Sequence, residues 1–274
     1  MDCNLIVNVA RTELKNYCKN NNIQALVLGI SGGIDSTLCA ALARPVCDEL
    51  GIKLIGRSIP IETNSKPEIF RANIVGDAFC HDFQEIDLTT AFTDLSHYIL
   101  EDLTCNLNDK AFKIRRGNIK ARMRMIKLYD LAGQHKGMVL STDNYTEYLL
   151  GFSTIMGDWG DYGMIQYLWK TEVYDVAEWL SNNSNDEIKK AIKDCIEARA
   201  TDGLGVTDAG DLGQIFPEWK GSSRDGYKEV DKILNAYVNF SHGDLEHPVI
   251  KRHNSSHFKR NWPIAIKRDK FCQA

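Results

Sequence analysis

The chain has 274 residues, of which 43% are hydrophobic and 26% charged, a composition typical of a soluble globular protein with a substantial core. Its formal net charge of -4 gives no overall basic field, so nucleic acid is not an expected partner. The sequence contains no run near the roughly 18 apolar residues of a membrane-spanning helix and does not start like a signal peptide, so we expect a cytoplasmic protein that binds no membrane.

Helix and strand patterns alternate from the start of the chain. Apolar residues at helical spacing predict a helix over residues 5–18. The unbroken apolar run at 25–30 predicts a parallel strand that is buried on both faces. The next predicted elements are a helix from Asp35 to Leu50, a strand at 53–59, a helix at 67–79 and a strand at 82–86.

The alternation continues with a helix at about 118–132 and a strand at 137–141. Residues 151–163 and 201–226 show no periodicity and are expected to be long loops, which in compact domains are usually functional or disordered. Alternating strands and helices predict an α/β fold with a parallel sheet flanked by helices and its ligand site at the carboxyl ends of the strands. We expect one domain over residues 1–274 with a helical C-terminal part.

Eight cysteines are scattered through the chain without a C-x-x-C pair and, apart from Cys80-His81, without closely spaced Cys and His ligands. Disulfides are rare in reducing compartments, so we expect small, mostly buried thiols. Zinc binding and redox chemistry are not predicted.

A phosphate-binding turn is predicted between the first strand and the following helix. Gly32 and Gly33 permit positive φ and let backbone N–H groups approach an anion. Ser31 and Ser36 add hydroxyl donors, and Asp35 can hold the Mg²⁺ that accompanies ATP, because this cation takes oxygen ligands. The turn therefore predicts a nucleotide phosphate site with a metal ligand built in.

Three other glycine-rich motifs compete for this segment. A Walker A loop requires a Gly-Lys pair, which the chain lacks, and Gly29, Gly32 and Gly33 do not have the G-x-G-x-x-G spacing of a dinucleotide fingerprint. The segment does satisfy the G-x-S-x-G pattern of a hydrolase nucleophile elbow. Such a hydrolase needs several strands and an oxyanion loop before Ser31, and only about 24 residues precede this strand, so serine hydrolysis is disfavoured.

The segment Ser31-Gly32-Gly33-Ile34-Asp35-Ser36 resembles the pyrophosphatase loop of the N-type ATP pyrophosphatases, which include NAD, GMP, asparagine and argininosuccinate synthetases and tRNA-thiolating enzymes. Segments 117–125, 137–151, 168–174 and 258–260 are similar to bacterial ammonia-dependent NAD synthetases, in the same order along the chain. The resemblance implies a Rossmann-like, adenine nucleotide alpha hydrolase-like core at about 20–180. It also implies a homodimer that amidates deamido-NAD with ATP and ammonia through an adenylate, releasing AMP and pyrophosphate.

The resemblance also implies roles for individual residues. The expected ATP-binding residues are Gly29, Ile30, Ser31, Gly32, Gly33, Ile34, Asp35, Ser36, Thr142, Lys170 and Thr201. The expected deamido-NAD-binding residues are Arg122, Asp158, Asp161, Phe258 and Lys259, and the expected Mg²⁺ ligands are Asp35 and Glu147. By residue type alone, Arg122 would belong to a solvated helix face and Glu147 to a helix start.

Departures from the family pattern fall mainly in the deamido-NAD contacts. Residues 157–161 are one residue shorter than the usual Gly-Asp-Gly-Gly-Ala-Asp, which leaves open whether Asp158 or Asp161 binds the substrate. Ile155 stands where a lysine is common, and Phe258 stands where a histidine is common. Residues 200–204 replace the usual Pro-Thr-Ala-Asp-Leu.

Two alternative functions remain open: another N-type ATP pyrophosphatase, tRNA-modifying or GMP-forming, and a non-catalytic nucleotide-binding protein. The lack of a C-x-x-C pair and of surplus basic charge counts against RNA thiolation, and the presence of Asp35 and Glu147 counts against a protein without turnover. Because 274 residues leave no room for a fused glutamine amidotransferase, we expect free ammonia as the nitrogen source, with supply by a separate glutaminase partner as the alternative.

Overall fold

Parallel strands form the central sheet of the computed structural model, which describes residues 1–100, 109–201, 210–261 and 263–271. The strands are β1 (Ala25–Gly29), β2 (Lys53–Ser58), β3 (Asp82–Glu85), β4 (Met138–Ser141) and β5 (Tyr162–Gly163). Their order is β3-β2-β1-β4-β5, and all four pairings are parallel. The order reverses direction between β1 and β4, and in such sheets a ligand crevice opens at this point.

Helices pack on both faces of the sheet. The longer ones are α1 (Cys3–Asn20), α2 (Ile34–Leu50), α3 (Lys66–Phe79), α4 (Thr89–Ile99), α5 (Lys110–Gln134), α7 (Lys170–Asn182), α8 (Asp186–Glu197) and α10 (Ser223–Phe240). The shorter ones are α6 (Tyr145–Leu150), α9 (Gly210–Gly213), α11 (Pro248–Ser255), α12 (His257–Arg260) and α13 (Arg268–Phe271).

Alternating side chains of β1 serve two separate cores. Leu26 and Leu28 pack with α1, α2, α7, α8 and α10 on one face, whereas Ala25 and Val27 pack with α4 and α5 on the other. Because side chains alternate along a strand, an unbroken apolar run is what a central strand covered on both faces requires. The predicted α/β fold with a parallel sheet is therefore confirmed.

The predicted loops contain regular structure. Residues 151–163 include β5, which is only two residues long and therefore leaves no alternation pattern. Residues 201–226 include α9 and the start of α10, and residues 202–209 of this segment lie outside the described residues. Helix α5 begins at Lys110 instead of about 118, since Asp109 caps it and the buried Gly117 lies inside it. The single-domain organisation stays a prediction.

The cysteines in the described part of the chain are free thiols, four of them buried, while Cys105 and Cys272 lie outside it. None of the helices built from the described residues has the length and apolar composition needed to cross a bilayer.

Candidate active site

A cavity of about 550 Å³ opens at the carboxyl ends of β1, β2 and β4, where the strand order reverses. The expected ATP-site residues in its lining are Gly29, Ile30, Ser31, Gly33, Ile34, Asp35, Thr142, Lys170 and Thr201. It is also lined by Glu147 and by three of the expected substrate residues, Asp158, Phe258 and Lys259. Residues from distant parts of the sequence thus share one cleft at the position that an open parallel sheet offers a ligand.

The turn after β1 is shaped to present donors to an anion. Ser31 Oγ lies 3.1 Å from Ser36 Oγ and accepts a hydrogen bond from the Gly33 N–H at 3.2 Å. Gly32 has a φ of +76°, and a Cβ there would lie 2.5 Å from the Glu68 carbonyl oxygen of α3. Gly32 and Ser36 therefore hold the turn in shape, while Ser31 and Gly33 line the cavity.

Helix α2 starts directly in this turn. Its N-cap is Gly33, which has no side chain to satisfy the first N–H groups of the helix. These N–H groups and the helix dipole favour an anion at this end. The arrangement suits a phosphate group.

The ammonium of Lys170 lies between two carboxylates of the cavity. Its Nζ donates to Asp35 and, at 2.8 Å, to Glu147 Oε1, while Asn144 donates to the other oxygen of Asp35 at 2.8 Å. Burial alone would lower the pKa of Lys170, but the charges of Asp35 and Glu147 outweigh it and hold that pKa well above its usual value. Burial, and then the charge of Asp35, raises the pKa of Glu147. Lys170 therefore stays charged and compensates both carboxylates.

Glu147 stands at a helix start, as its residue type suggested, and it also lines the cavity. Asn144 is the N-cap of α6 and accepts from the Glu147 N–H at 3.0 Å, and Glu147 Oε2 accepts from the Asn144 N–H at 3.4 Å. This reciprocal capping box fixes the side chain at the helix start. Its other oxygen, Oε1, remains directed to Lys170 in the cavity.

A buried carboxylate that the sequence did not single out, Asp231 of α10, ties the starts of α6 and α7 together. It accepts from the Thr146 hydroxyl at 2.5 Å and from the Thr171 N–H at 2.9 Å. The Thr146 hydroxyl in turn accepts from the Lys170 N–H at 2.9 Å. Asp231 occupies the buried stripe of an otherwise amphipathic helix, and a charge at such a position is the signal that could have revealed it.

Two further carboxyl groups, Asp143 and Asp158, face the same cavity. Ser141 donates to Asp143 at 3.0 Å, and the Thr154 N–H donates to Asp158. Burial raises the pKa of both groups, and for Asp143 the charges of Asp158 and Glu147 raise it further. The deep part of the cavity therefore disfavours additional uncompensated negative charge.

The C-terminal helices close one side of the cleft. Lys259 donates to the carbonyl oxygen of Gly151 at 2.8 Å and to that of Ser153, and Phe258 lies half-exposed beside it. Arg252 donates to the Leu150 carbonyl oxygen at 2.8 Å. These contacts place the end of the chain against the loop that follows α6.

Two expected substrate residues do not line the cavity. Arg122 is exposed and donates to the Ile155 carbonyl oxygen at 3.3 Å, whereas Arg124 faces the cavity and donates to Ile59 and Asn64. A separation of two residues turns a helical side chain by roughly 200°, so Arg122 and Arg124 lie on opposite faces of α5.

Asp161 is also directed away from the cavity. Its carboxylate accepts from the Val139 N–H at 2.9 Å and from the Tyr129 hydroxyl at 3.1 Å, at the edge of the sheet. Of the two candidate aspartates, Asp158 is the one in the cavity lining.

Several arginines that the sequence did not assign to the site also line it. They are Arg57, Arg71, Arg124, Arg199 and Arg252. Arg57 carries a charge inside the buried strand β2, where it pairs with Asp82 at 2.8 Å. A charged residue among apolar neighbours in a predicted strand is the sequence feature that could have indicated a site residue.

Comparisons with known proteins agree with this architecture. A family model described as NAD synthase matches residues 6–263. The NH(3)-dependent NAD(+) synthetase of Syntrophomonas wolfei is 31% identical over 255 residues, which cover 91% of this chain and 96% of that protein.

Solved structures share the fold. The NMN synthetase from Francisella tularensis has a TM-score of 0.72 at 21% identity, with 98% of this chain and 99% of that chain covered. The NH3-dependent NAD synthetase from Campylobacter jejuni has a TM-score of 0.69 at 23% identity, with 97% and 100% covered. Because the family model spans nearly the whole sequence and a relative matches along almost its full length, this chain belongs to the NAD synthase family.

Proposed function

We propose that the chain is a ligase that forms NAD, AMP and pyrophosphate from deamido-NAD, ATP and ammonia. The observation that carries this proposal is the phosphate-binding turn at residues 31–36, which meets Lys170 and Glu147 in one cleft of a NAD synthase-family chain. Relatives of similar length are named NH(3)-dependent NAD(+) synthetases, which supports ammonia as the nitrogen donor.

The reaction has two steps. An oxygen of the nicotinate carboxylate attacks the α-phosphorus of ATP, the bond between that phosphorus and the bridging oxygen breaks, and pyrophosphate leaves. Ammonia then attacks the carbonyl carbon of the adenylate, AMP leaves with the bonding electron pair, and a proton is lost from nitrogen. The substrate supplies the nucleophile, so the tasks of the protein are positioning and electrostatic stabilisation.

The turn residues serve the leaving pyrophosphate. The backbone N–H groups at the start of α2 and the Ser31 hydroxyl face the cavity, where they can donate to phosphate oxygens. Within the described ranges, the Ser31 hydroxyl is hydrogen-bonded to Ser36 and Gly33 and not to a histidine base, so we assign it a donor role.

We assign Mg²⁺ binding to Asp35 and Glu147. Their carboxylates converge on a single ammonium, which places both within reach of one cation, and hard oxygen ligands are those that Mg²⁺ takes. Phosphate oxygens and water would supply its other oxygen ligands. When bound, the ion neutralises charge on the phosphates.

We further propose a homodimer in which the outer face of α5 lies near the second subunit. Ile126 and Tyr129 share this face with Arg122 and are 68% and 42% exposed. An apolar face beside an exposed arginine suits an interface at which Arg122 reaches the dinucleotide of the site. Cytoplasmic location stays a prediction.

Product analysis tests the activity. Purified protein is incubated with ATP, Mg²⁺ and ammonium, and with deamido-NAD, nicotinate mononucleotide or xanthosine monophosphate as the acceptor. We expect NAD, AMP and pyrophosphate in equal amounts with deamido-NAD and slower turnover with the other two. No NAD at any ammonium concentration would refute the proposal, and faster amidation of the mononucleotide would reassign the activity to NMN synthesis, the one named for the Francisella tularensis structure.

A further inference from the structure

Arg71 of α3 lines the cavity beside the phosphate-binding turn, at a position with no role in the expected site. Its Nε donates to the carbonyl oxygen of Gly32 at 3.1 Å, and its side chain is half-buried. The guanidinium is therefore anchored directly to the backbone of the turn.

This part of α3 and the turn form one packed unit. The position of a Cβ at Gly32 would be 2.5 Å from the Glu68 carbonyl oxygen and 3.2 Å from Arg71 Cβ, so the two segments touch without a gap. The start of α3 is itself fixed by a capping box between Ser65 and Glu68. Arg71 is consequently held in place relative to the turn before any ligand arrives.

No carboxylate among the residues that the structure describes compensates the charge of Arg71. Within the described ranges, Gly32 is its hydrogen-bond partner and no acidic side chain lies within ion-pair distance, so its terminal nitrogens make no bond to protein. By contrast, Lys170 pairs with two carboxylates and Arg57 with one. A half-buried guanidinium whose terminal fork is unused is suited to bidentate binding of an anion.

We propose that Arg71 binds the β- and γ-phosphates of ATP and stabilises the negative charge of pyrophosphate as it leaves. The inference rests on the proposed function for the identity of the reaction, but the phosphate ligand follows from the position of Arg71 beside the turn. Ser31, the start of α2 and Arg71 surround the same end of the cavity, and an arginine fork fits phosphate oxygens. Arg71 is thus assigned as a pyrophosphate-binding residue.

The test is calorimetric titration of the full chain with inorganic pyrophosphate in Mg²⁺ buffer. Arg71→Met removes the charge and keeps the length, and Arg71→Lys restores the charge without the fork. Arg11→Met is the matched control, because Arg11 is also a half-buried helical arginine that donates to a carbonyl oxygen, that of Ala41, and it does not line the cavity.

We expect the dissociation constant for pyrophosphate to rise roughly 10- to 100-fold in Arg71→Met, as for loss of hydrogen bonds between charged groups. Arg71→Lys should recover part of this loss, Arg11→Met should match the wild type, and the KM for deamido-NAD should stay unchanged. Unaltered pyrophosphate affinity in folded Arg71→Met, or in Arg71→Lys if the former does not fold, would overturn the assignment. The assignment would also be overturned if Arg11→Met lost as much pyrophosphate affinity as Arg71→Met. A rise in the KM for deamido-NAD as large as the loss of pyrophosphate affinity, or a wild type that does not bind pyrophosphate, would overturn it as well. Because this titration involves no amidation, a failure to form NAD would reject the proposed function while leaving the role of Arg71 to be decided.

Discussion

At the scale of single residues, the site depends on a buried ammonium shared between two carboxylates. The side chain of Lys170 is 2% exposed, and those of Asp35 and Glu147 are 17% and 14% exposed. A buried charge that loses its partner is costly, whereas the complete arrangement is compensated. The three side chains therefore balance one another's charge beside the turn at residues 31–36.

The first prediction concerns the two carboxylates. Asp35→Asn and Glu147→Gln keep side-chain size and should each lower kcat/KM by at least roughly 100-fold, because each removes charge from the proposed phosphate and metal site. Steady-state kinetics measures the loss, and circular dichroism checks the fold. Asp175→Asn, at an exposed partner of Arg224, is the control and should retain activity. Wild-type rates in either site variant would contradict the assignment.

The turn residues could be predicted from sequence because they are contiguous and their chemistry is local. Partners such as Lys170 and Asp35, which are 135 positions apart, could not be paired in the same way. Asp231 and Arg71 were missed for the same reason, since their significance lies in contacts with Thr146 and Gly32 that only folding creates.

At the scale of elements, α10 positions the starts of α6 and α7 through a single hydroxyl and a single carboxylate. The Thr146 hydroxyl donates to Asp231 and accepts from the Lys170 N–H, so it joins all three helices. The neighbouring residues Glu147 and Lys170 carry the site charges. The distance between Glu147 and Lys170 therefore depends on the hydrogen bonds of Thr146 and Asp231.

The second prediction tests that junction. Thr146→Val keeps the shape but leaves buried polar partners unsatisfied, which should lower the free energy of unfolding by about 1 to 3 kcal/mol. It should also reduce kcat more than it raises the KM for ATP, because alignment and not the binding surface is altered. Thr146→Ser keeps the hydroxyl and should restore both values. Urea unfolding and kinetics provide the measurement, and equal defects in the Val and Ser variants would argue against the role of the hydroxyl.

Helix α11 is hydrogen-bonded to the end of α6 through His253. Its Nδ1 lies 2.9 Å from the Leu149 carbonyl oxygen, and burial, together with the charge of Arg260, lowers the pKa of His253. The unfolded chain therefore binds this proton more tightly than the folded chain. The stabilisation is complete above the unfolded pKa, about 6.5, and declines as the pH falls through that value towards the lower folded pKa.

The third prediction follows from the lowered pKa of His253. His253→Asn keeps an N–H donor for Leu149 but does not titrate, so it should lose less stability than the wild type between pH 7.5 and 5.5, a window of roughly one unit on each side of the unfolded pKa. Urea unfolding at both pH values measures the difference. Asp143, Asp158 and Asp231, whose pKa values burial raises, act in the opposite direction but equally in both proteins. Identical pH dependence in the two proteins would exclude His253 as the cause.

At the scale of the whole molecule, the reversal of strand order beside β1 sets the position of the cavity. This could be foreseen, because the unbroken apolar run of β1 and the turn after it are readable in sequence. The two-residue strand β5 could not be predicted, since it is held by pairing with β4. Helix α4 could not be predicted either, because it has few buried residues. Arg122 was assigned to the substrate, yet the fold turns it outward.

The fourth prediction concerns the outward face of α5. Light scattering should give about twice the chain mass of 31.0 kDa for the wild type, and Ile126→Asp should shift it to one chain mass by placing a charge in an apolar interface. Arg122→Ala should stay dimeric and weaken deamido-NAD more than ATP. A monomeric wild type would contradict the dimer, and equal loss of both substrates would contradict the role of Arg122.

The most direct test of the central claim follows the oxygen atoms of the substrate. Deamido-NAD labelled with ¹⁸O in its nicotinate carboxylate is converted with ATP, Mg²⁺ and ammonium, and the products are examined by mass spectrometry and ³¹P NMR. Attack of the carboxylate on the α-phosphorus, with pyrophosphate held by the turn at residues 31–36, predicts one labelled oxygen in each AMP formed and none in pyrophosphate. Label in pyrophosphate or in inorganic phosphate, or unlabelled AMP, would contradict the mechanism.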